Sequence, residues 1–537
     1  MSRLRDNPWA VLVLLSLGFF MILLDTTIVN IAIPSIIDEL HASLDSILWV
    51  LNAYILVYAV LLITAGRLGD IYGQRNLFVL GLAVFVLASA ACGAAQNTSQ
   101  LIAARVVQGF GGALLTPQTL SIITSIFPPQ RRGAAFGVWG AVAGIAAMTG
   151  PTLGGFLVTY VNWRWIFFVN VPIGIFTIVA GLLVIPDLRP GRRHGLDPIG
   201  VLLATAGLFG ICFGLIEGQR YDWGTVAGFL TIPEVIVAGL AIIAVFFAVW
   251  EPRQQEPLVP LSLFRDRNFS LMNWVSAAVA FGMFGMIVPL VIYLQSVLGF
   301  SAVKAGLTML PMSLVSMPVA PFAGRLADRI GGKYILMFGL TMFAAGFGLV
   351  DWVASTNSQW YDFTLPVMVA GLGMGCTFAP MTTVAMRHIE PRMAGAASGI
   401  FNTARQLGGV LGSAVVGAVL QNRLSMALHD QAVTRSAGLP PQFRQQFIDG
   451  FSHAAKSGFE VGRGQVGGSL PAGLPPAVAH QLQQLAHEVF ADGYIDAMRA
   501  TLVVPLVVLL VGALSCLAIR RRSREDRAAT VKAAAAP

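Results

Sequence analysis

Asp25 stands in the run Leu24-Asp25-Thr26-Thr27-Ile28-Val29-Asn30, inside an apolar stretch from about residue 9 to residue 33. It lies nine residues before Pro34, which at 1.5 Å per helical residue puts it roughly 13 Å below the outer end of the stretch. An ionised carboxylate in hydrocarbon costs several kcal/mol unless it is paired or hydrated, so an acid placed there is suited to taking up and releasing a proton. The alternative is a structural Asp held by Thr26, Thr27 or Asn30. Arg105 lies four residues inside another apolar stretch that enters from the same side, at a depth of roughly 6 to 12 Å that brackets the depth of Asp25. The two side chains are expected to meet, with Arg105 stabilising the ionised acid in one state and releasing it in another; a snorkelling Arg that only anchors the helix end is the alternative. Arg405 is deeper, roughly 18 Å from the inner end of its stretch, and a polar pocket with Asn402, Thr403 and Gln406 is expected around it. Asn30, Gln108, Asn402, Arg405 and Gln406 are the polar residues best placed along a substrate pathway.

Composition says what must carry these groups. Of 537 residues, 56% are hydrophobic and 11% charged, and the mean hydropathy is +0.74. That is too little polar surface to cover a soluble globule, so the main solvent is lipid. A bilayer core needs about 20 apolar residues per helix. The chain offers such runs at about 9–33, 47–66, 77–95, 101–126, 134–160 and 165–186, then 198–217 and 233–250, then 269–295, 305–324, 334–353, 364–386, 394–420 and 500–519. The predicted fold is therefore all-α, polytopic, with fourteen transmembrane helices. The first run, with Asp25 inside it and no small-residue cleavage site, is expected to be retained as a helix and not cleaved as a signal peptide.

Net charge is +8, and its distribution explains the sign better than nucleic-acid binding does, so no nucleic-acid partner is expected. With a cytoplasmic N-terminus, the inner segments collect most of the basic residues, including Arg3, Arg5, Arg131, Arg132, Arg253, Arg265, Arg387 and Arg520 to Arg522, while the short outer loops hold only Arg164, Arg220 and Lys304. That asymmetry favours an even number of spans with both termini cytoplasmic. The four cysteines lie inside apolar segments without Cys-x-x-Cys spacing, and the seven histidines show no metal spacing. No metal, disulfide framework or phosphate-binding loop is expected, so neither ATP coupling nor a cofactor is predicted.

The chain repeats itself. Gly66-Arg67-Leu68-Gly69-Asp70 through Gly73 and Arg75 matches Gly324-Arg325-Leu326-Ala327-Asp328-Arg329 and its sequel at an offset of 258, and Gly133-Ala134-Ala135-Phe136-Gly137 matches Gly395-Ala396-Ala397-Ser398-Gly399 at 262. Both matches shift the helix number by eight, so two six-helix halves are expected with two helices inserted between them and the substrate site at their interface. The repeated segments are read as loops after spans two and ten. Their glycines allow close backbone approach, and Asp70 and Asp328 either cap a helix N-terminus or pair with Arg across the halves. Gly66, Arg67, Asp70, Gly73, Arg75, Gly324, Arg325, Asp328 and Arg329 are the candidate cytoplasmic gate; a plain topogenic turn is the alternative. In span five, Gly140, Gly144, Gly150, Pro151, Gly154 and Gly155 allow close helix contact, with a bend at Gly150-Pro151. Met272, Met283, Met286, Met309, Met312 and Met317 line spans nine and ten, either as an adaptable binding wall or as lipid-facing filler.

With Leu24 to Pro34, the duplicated Gly-Arg-Leu-x-Asp segment, Arg105-Val106-Val107-Gln108-Gly109, Gly150-Pro151-x-x-Gly154-Gly155, Trp163-Arg164-Trp165-Ile166-Phe167-Phe168-Val169-Asn170-Val171-Pro172, and Ser398 to Gly409, the sequence resembles the fourteen-helix drug:proton antiporters of the major facilitator superfamily. The resemblance runs from the first span to the thirteenth. It implies the major facilitator fold and drug efflux driven by proton entry, with Asp25 as a coupling carboxylate, Arg105 as its proton-relay partner and the glycine-rich fifth helix as the antiporter signature. Ile71 and Gln74 stand where basic residues are usual in that family. Members that export divalent cations tend to carry further deep acids; Glu217, Glu234 and Asp351 are read as near helix ends, which points to monovalent cations or neutral amphiphiles as substrates.

The expected layout is residues 1–190 for the N-terminal half, 191–268 for the inserted helices and linker, 269–420 with 499–521 for the C-terminal half, 421–498 for an outer segment, and 522–537 for a cytoplasmic tail. The outer segment is read either as a solvated connector or as a lid or docking surface for an accessory exporter protein. The function expected is a non-enzymatic, proton-driven exporter of small lipophilic drugs or secondary metabolites in the cell (inner or plasma) membrane, with substrate, protons and lipid as partners. A proton-coupled importer on the same fold and a non-transporting receptor or scaffold are the alternatives.

Overall fold

A computed structural model describes residues 7–187, 195–218, 220–228, 230–436, 444, 445, 447–449, 451 and 476–520. The described chain is almost entirely helical. The first half consists of α1 (Pro8–Leu40), α2 (Leu44–Tyr72), α3 (Gln74–Ala94), α4 (Thr98–Ile126), α5 (Arg132–Tyr160) and α6 (Trp165–Val184). Next come α7 (Pro198–Glu217) and α8 (Ile232–Val245, continued by a wider π turn over Phe246–Trp250), joined by a small antiparallel hairpin of β1 (Thr225–Ala227) and β2 (Leu230–Thr231). The second half has α9 (Arg267–Ile292), α10 (Ala302–Ile330), α11 (Lys333–Val353), α12 (Thr364–Gly375 and Phe378–Ala385), α13 (Ala394–Ser436) and α14 (Pro476–Ser515). Among the described residues, twelve helices are long and apolar enough to cross a membrane, α4 and α5 being outside that set.

Local chemistry starts several of these helices where they must begin. Asn7 accepts the Trp9 N–H ahead of Pro8, Asn97 accepts the Gln100 N–H, Ser301 accepts the Lys304 N–H and Asp266 accepts those of Asn268 and Phe269, so each satisfies donors that the first helical turn leaves free. Gly73 and Gly331 end α2 and α10 with φ of 94° and 89°, a region that residues with a Cβ enter only at a cost.

The packing repeats with the helix number shifted by eight. In the first half α3 lies on α4, α2 on α4, α1 on α5 and α3 on α6; in the second, α11 lies on α12, α10 on α12, α9 on α13 and α11 on α14. Two seams join the halves, α2 against α13 and α5 against α10. The inserted pair α7 and α8 packs on itself, and α7 also touches α2 and α13, so it lies beside one seam only.

Two readings need correction. The repeated Gly-Arg-Leu-x-Asp segments are not loops: Gly66 to Tyr72 and Gly324 to Ile330 form the last turns of α2 and α10. Nothing in them breaks a helix before the positive-φ glycine. The segment after residue 420 is helical at both flanks: α13 continues to Ser436 and α14 is already helical from Pro476. Leu428 and Ala432 are buried there with Val489 and Phe490, Arg435 pairs with Glu488 and Asp492, and Gln431 donates to Asp496 at 3.1 Å. The methionines of α9 and α10 do not share one wall either: Met272, Met286 and Met312 are buried, whereas Met317 is exposed.

Candidate functional site

Asp25 is fully buried in the middle of α1, and α4 brings its partners. Arg105 Nη1 pairs with Asp25 Oδ2. Gln108, one turn along α4, donates from Nε2 to Asp25 Oδ1 at 2.8 Å and accepts from Arg105 Nη1 at 2.7 Å. Arg105 Nε donates to the Val50 carbonyl of α2 at 3.1 Å, and its guanidinium carbon lies 4.2 Å from the centre of the Tyr54 ring. A buried ion pair is stable only when its other donors and acceptors find partners; here both Asp25 oxygens and Arg105 Nε and Nη1 are engaged. Removing or adding one proton at Asp25 therefore changes the charge of a closed, hydrogen-bonded cluster that spans three helices.

Asn30 is not part of the cluster: it is exposed, and its Nδ2 donates to the Thr26 carbonyl of its own helix at 2.9 Å. Thr26 and Thr27 likewise return their hydroxyls to the backbone of α1. Arg405 meets Asn402 Oδ1 at 2.9 Å but not the rest of the expected pocket. The Thr403 hydroxyl is buried without a hydrogen-bond partner. Arg405 lies instead beside the hydroxyl of Tyr58 on α2, in the other half. Tyr58 in turn donates to Thr116 Oγ1 at 3.2 Å. Tyr54 and Tyr58 were missed by the sequence reading, although two tyrosines one turn apart beside a deep Arg are a legible signal.

The two repeated acids reach across the seams. Asp70 Oδ1 accepts the Gly395 N–H at 2.9 Å and Oδ2 the Ala396 N–H at 2.8 Å. Asp328 does the same to Gly133 at 2.9 Å and Ala134 at 3.1 Å. Each acid thus caps the first turn of a helix in the opposite half, where free N–H groups and the helix dipole favour a negative charge. Arg67 is buried near Asp70, Arg75 pairs with Asp187 at 3.3 Å, and Arg325 and Arg329 are exposed. Arg132, also not anticipated, donates to the Met386 carbonyl across the halves at 2.9 Å.

Glycine makes this approach sterically feasible. A Cβ on Gly66 would run into the Gly395 carbonyl oxygen, and one on Gly324 into that of Gly133. Along α5 the clearance toward α10 then grows: a Cβ on Gly137 would meet Pro321 Cα at 2.6 Å, on Gly144 Ser316 Oγ at 3.2 Å, and on Gly155 Val303 Cγ2 at 3.9 Å. The seam is tight at the end bearing Asp328 and loosens toward the other. Gly150 and Gly154 face α1 instead, where Cβ atoms would strike Thr27 Oγ1 and come within 2.7 Å of Ile28 Cγ1. The helix runs unbroken through Gly150 and Pro151. This places the glycine face of α5 against the turn that follows Asp25.

Glu217 is the last residue of α7, as its helix-end reading has it, and is buried there, accepting from Asn52 Nδ2 of α2 at 3.0 Å and from Arg220 at 3.1 Å. At the end opposite the caps, Glu39 of α1 accepts from Trp163 Nε1 at 2.8 Å and pairs with Arg164 at 3.0 Å.

Comparison with known proteins places this arrangement. The family model described as Major Facilitator Superfamily matches residues 15–413. An uncharacterized MFS-type transporter of Mycobacterium tuberculosis is 42% identical over 83% of this chain and 78% of its own length. The tetracenomycin C resistance and export protein of Streptomyces glaucescens is 34% identical over 98% of this chain and 94% of its own. Among solved structures, the human organic anion transporter MFSD10 superposes with a TM-score of 0.60 at 13% identity, covering 94% of this chain and 99% of that one, and so shares the fold.

Proposed function

We propose, from the premise that this chain belongs to the Major Facilitator Superfamily, that it is a proton-coupled antiporter exporting small lipophilic drugs or secondary metabolites, and not an enzyme. The buried Asp25–Arg105–Gln108 cluster carries the reading. Its carboxylate is held by the donors of α4, so a proton arriving on Asp25 releases Arg105 and Gln108 and loosens the contact between α1 and α4. The glycine face of α5, pressed on the following turn of α1, transmits that change toward the seam with α10. Resistance and export in the name of the long relative favour outward transport over the importer alternative.

In this reading all fourteen long helices cross the cell membrane, both termini are cytoplasmic, and the capped end of the two seams is the cytoplasmic gate. Asp70 and Asp328 hold that gate closed in the conformation described, and Asn30, Gln108, Asn402, Arg405 and Gln406 border the pathway above it. Energy comes from the proton gradient, with no cofactor. The test is transport in everted vesicles with an imposed pH gradient. Asp25→Asn removes the titratable group while keeping its size, and proton-driven uptake is expected to fall to background with membrane insertion unchanged. Activity like wild type in that variant would exclude the role assigned to Asp25.

A further inference from the structure

We propose that Arg405 binds an anionic oxygen of the transported compound, so that the substrates are acidic amphiphiles; the assignment rests on the export reading above. Arg405 lies eleven residues into α13, roughly 16 Å from the capped end, and remains partly exposed at that depth. Among the described residues it joins no ion pair. Its neighbours of opposite polarity among the described residues are the Asn402 side-chain amide oxygen and the Tyr58 hydroxyl. Arg105, Arg164 and Arg220, by contrast, pair with Asp25, Glu39 and Glu217. The Asp25–Arg105 pair sums to zero, whereas among the described residues no carboxylate offsets the charge of Arg405. A guanidinium away from bulk water repels a cation and forms charge-assisted, bidentate bonds to a carboxylate, sulfonate or phenolate.

Two further groups complete the site. The Asn402 amide oxygen, one turn back on the same face of α13, accepts from Arg405 Nη2 at 2.9 Å and orients the guanidinium. Tyr58 stacks on Tyr54 at 6.0 Å, and Tyr54 lies under Arg105. An anion that draws Arg405 away from Tyr58 therefore alters the stack that supports the proton-binding pair. The scarcity of deep acids suggested cationic or neutral substrates; the sign of the site is set instead by its unpaired arginine. Export of an anion and entry of a proton both move positive charge inward, so a membrane potential negative inside drives both steps.

The probes are 8-anilinonaphthalene-1-sulfonate, which stays ionised at all working pH values, and tetraphenylphosphonium as the matched cation. In everted vesicles the wild-type chain is expected to take up the sulfonate when a pH gradient is imposed. Arg405→Gln should raise its KM by about tenfold or more, and Arg405→Lys, which keeps the charge but not the bidentate fork, should recover part of that loss. The wild-type chain is expected to take up the cation poorly or not at all. Proton-driven uptake of the cation but not the sulfonate would overturn the anion assignment and leave the antiport reading standing. Unchanged sulfonate KM in a correctly inserted Arg405→Gln protein would overturn it as well. Loss of gradient dependence for every probe would instead count against the export reading itself.

Discussion

At the scale of single residues, the molecule separates charges that must stay from charges that move. Arg105 is needed partly because Asp25 is there: deleting the cation leaves an acid buried without its counter-charge, a change that costs about 3–5 kcal/mol in comparable pairs. Arg105→Ala is therefore expected to lower the thermal unfolding temperature, and Asp25→Asn combined with Arg105→Ala to be less destabilised than Arg105→Ala alone. Detergent-phase unfolding of the three variants measures this, and strictly additive losses would contradict the pairing. Asp266 behaves as a fixed charge outside the membrane-spanning segments. The side-chain hydrogen bond from His388, at 3.1 Å, and then the backbone N–H groups of Asn268 and Phe269 hold its carboxyl below the usual carboxylate range against the opposing effect of burial. A depressed folded value means that the stabilisation is complete above the ordinary carboxylate pKa and is lost as pH falls through the folded one. Unfolding followed between neutral and strongly acidic pH should show this loss for the wild type. Asp266→Asn should flatten that part of the profile while costing roughly 0.5–1 kcal/mol at neutral pH.

At the scale of elements, each seam is a helix end meeting a helix start. A carboxylate one turn before the end of α2 or α10 caps α13 or α5, and glycines let the backbones touch. Each cap is worth about 1 kcal/mol or somewhat more when partly buried. Asp70→Asn and Asp328→Asn are each expected to shift the population toward an open gate end, and the double variant to shift it by nearly the sum, since the seams are separate. Spin-label distances across that end would report the shift. Gly66→Ala or Gly324→Ala should open the same end more strongly than either Asn variant, because a methyl group cannot share the space of a carbonyl oxygen. Wild-type distances in those alanine variants would refute the close-packed seam.

At the scale of the whole molecule, two halves related by an eight-helix shift touch along two seams that are both closed at one end, while α7 and α8 lie beside only one of them. Glu217 fastens that inserted pair to α2, the helix that also carries Tyr54, Tyr58 and Asp70. The α5–α10 seam therefore has the freer side. Labels placed at the N-terminus, at the C-terminus and on the paired extension of α13 and α14 test the arrangement in the membrane. Both termini are expected to be reached only in everted vesicles and the extension only in intact cells; any other combination would break the proposed topology.

Much of this was readable in the residues. Long apolar runs and lopsided arginines are one-dimensional signals, because a bilayer imposes length and charge asymmetry on each segment in turn. The duplicated Gly-Arg-Leu-x-Asp segment disclosed the two halves, and the depths of Asp25 and Arg105 disclosed that they meet. Depth along a helix says nothing about rotation around it, however, and rotation is set by packing against neighbours that are distant in sequence. Only the tertiary structure decided that Gln108 joins Asp25 while Asn30 turns away, and that the repeated acids cap helices of the opposite half. It likewise decided that Arg405 lies beside Tyr58 in the other half, because that neighbourhood exists only once the seam of α2 and α13 has formed.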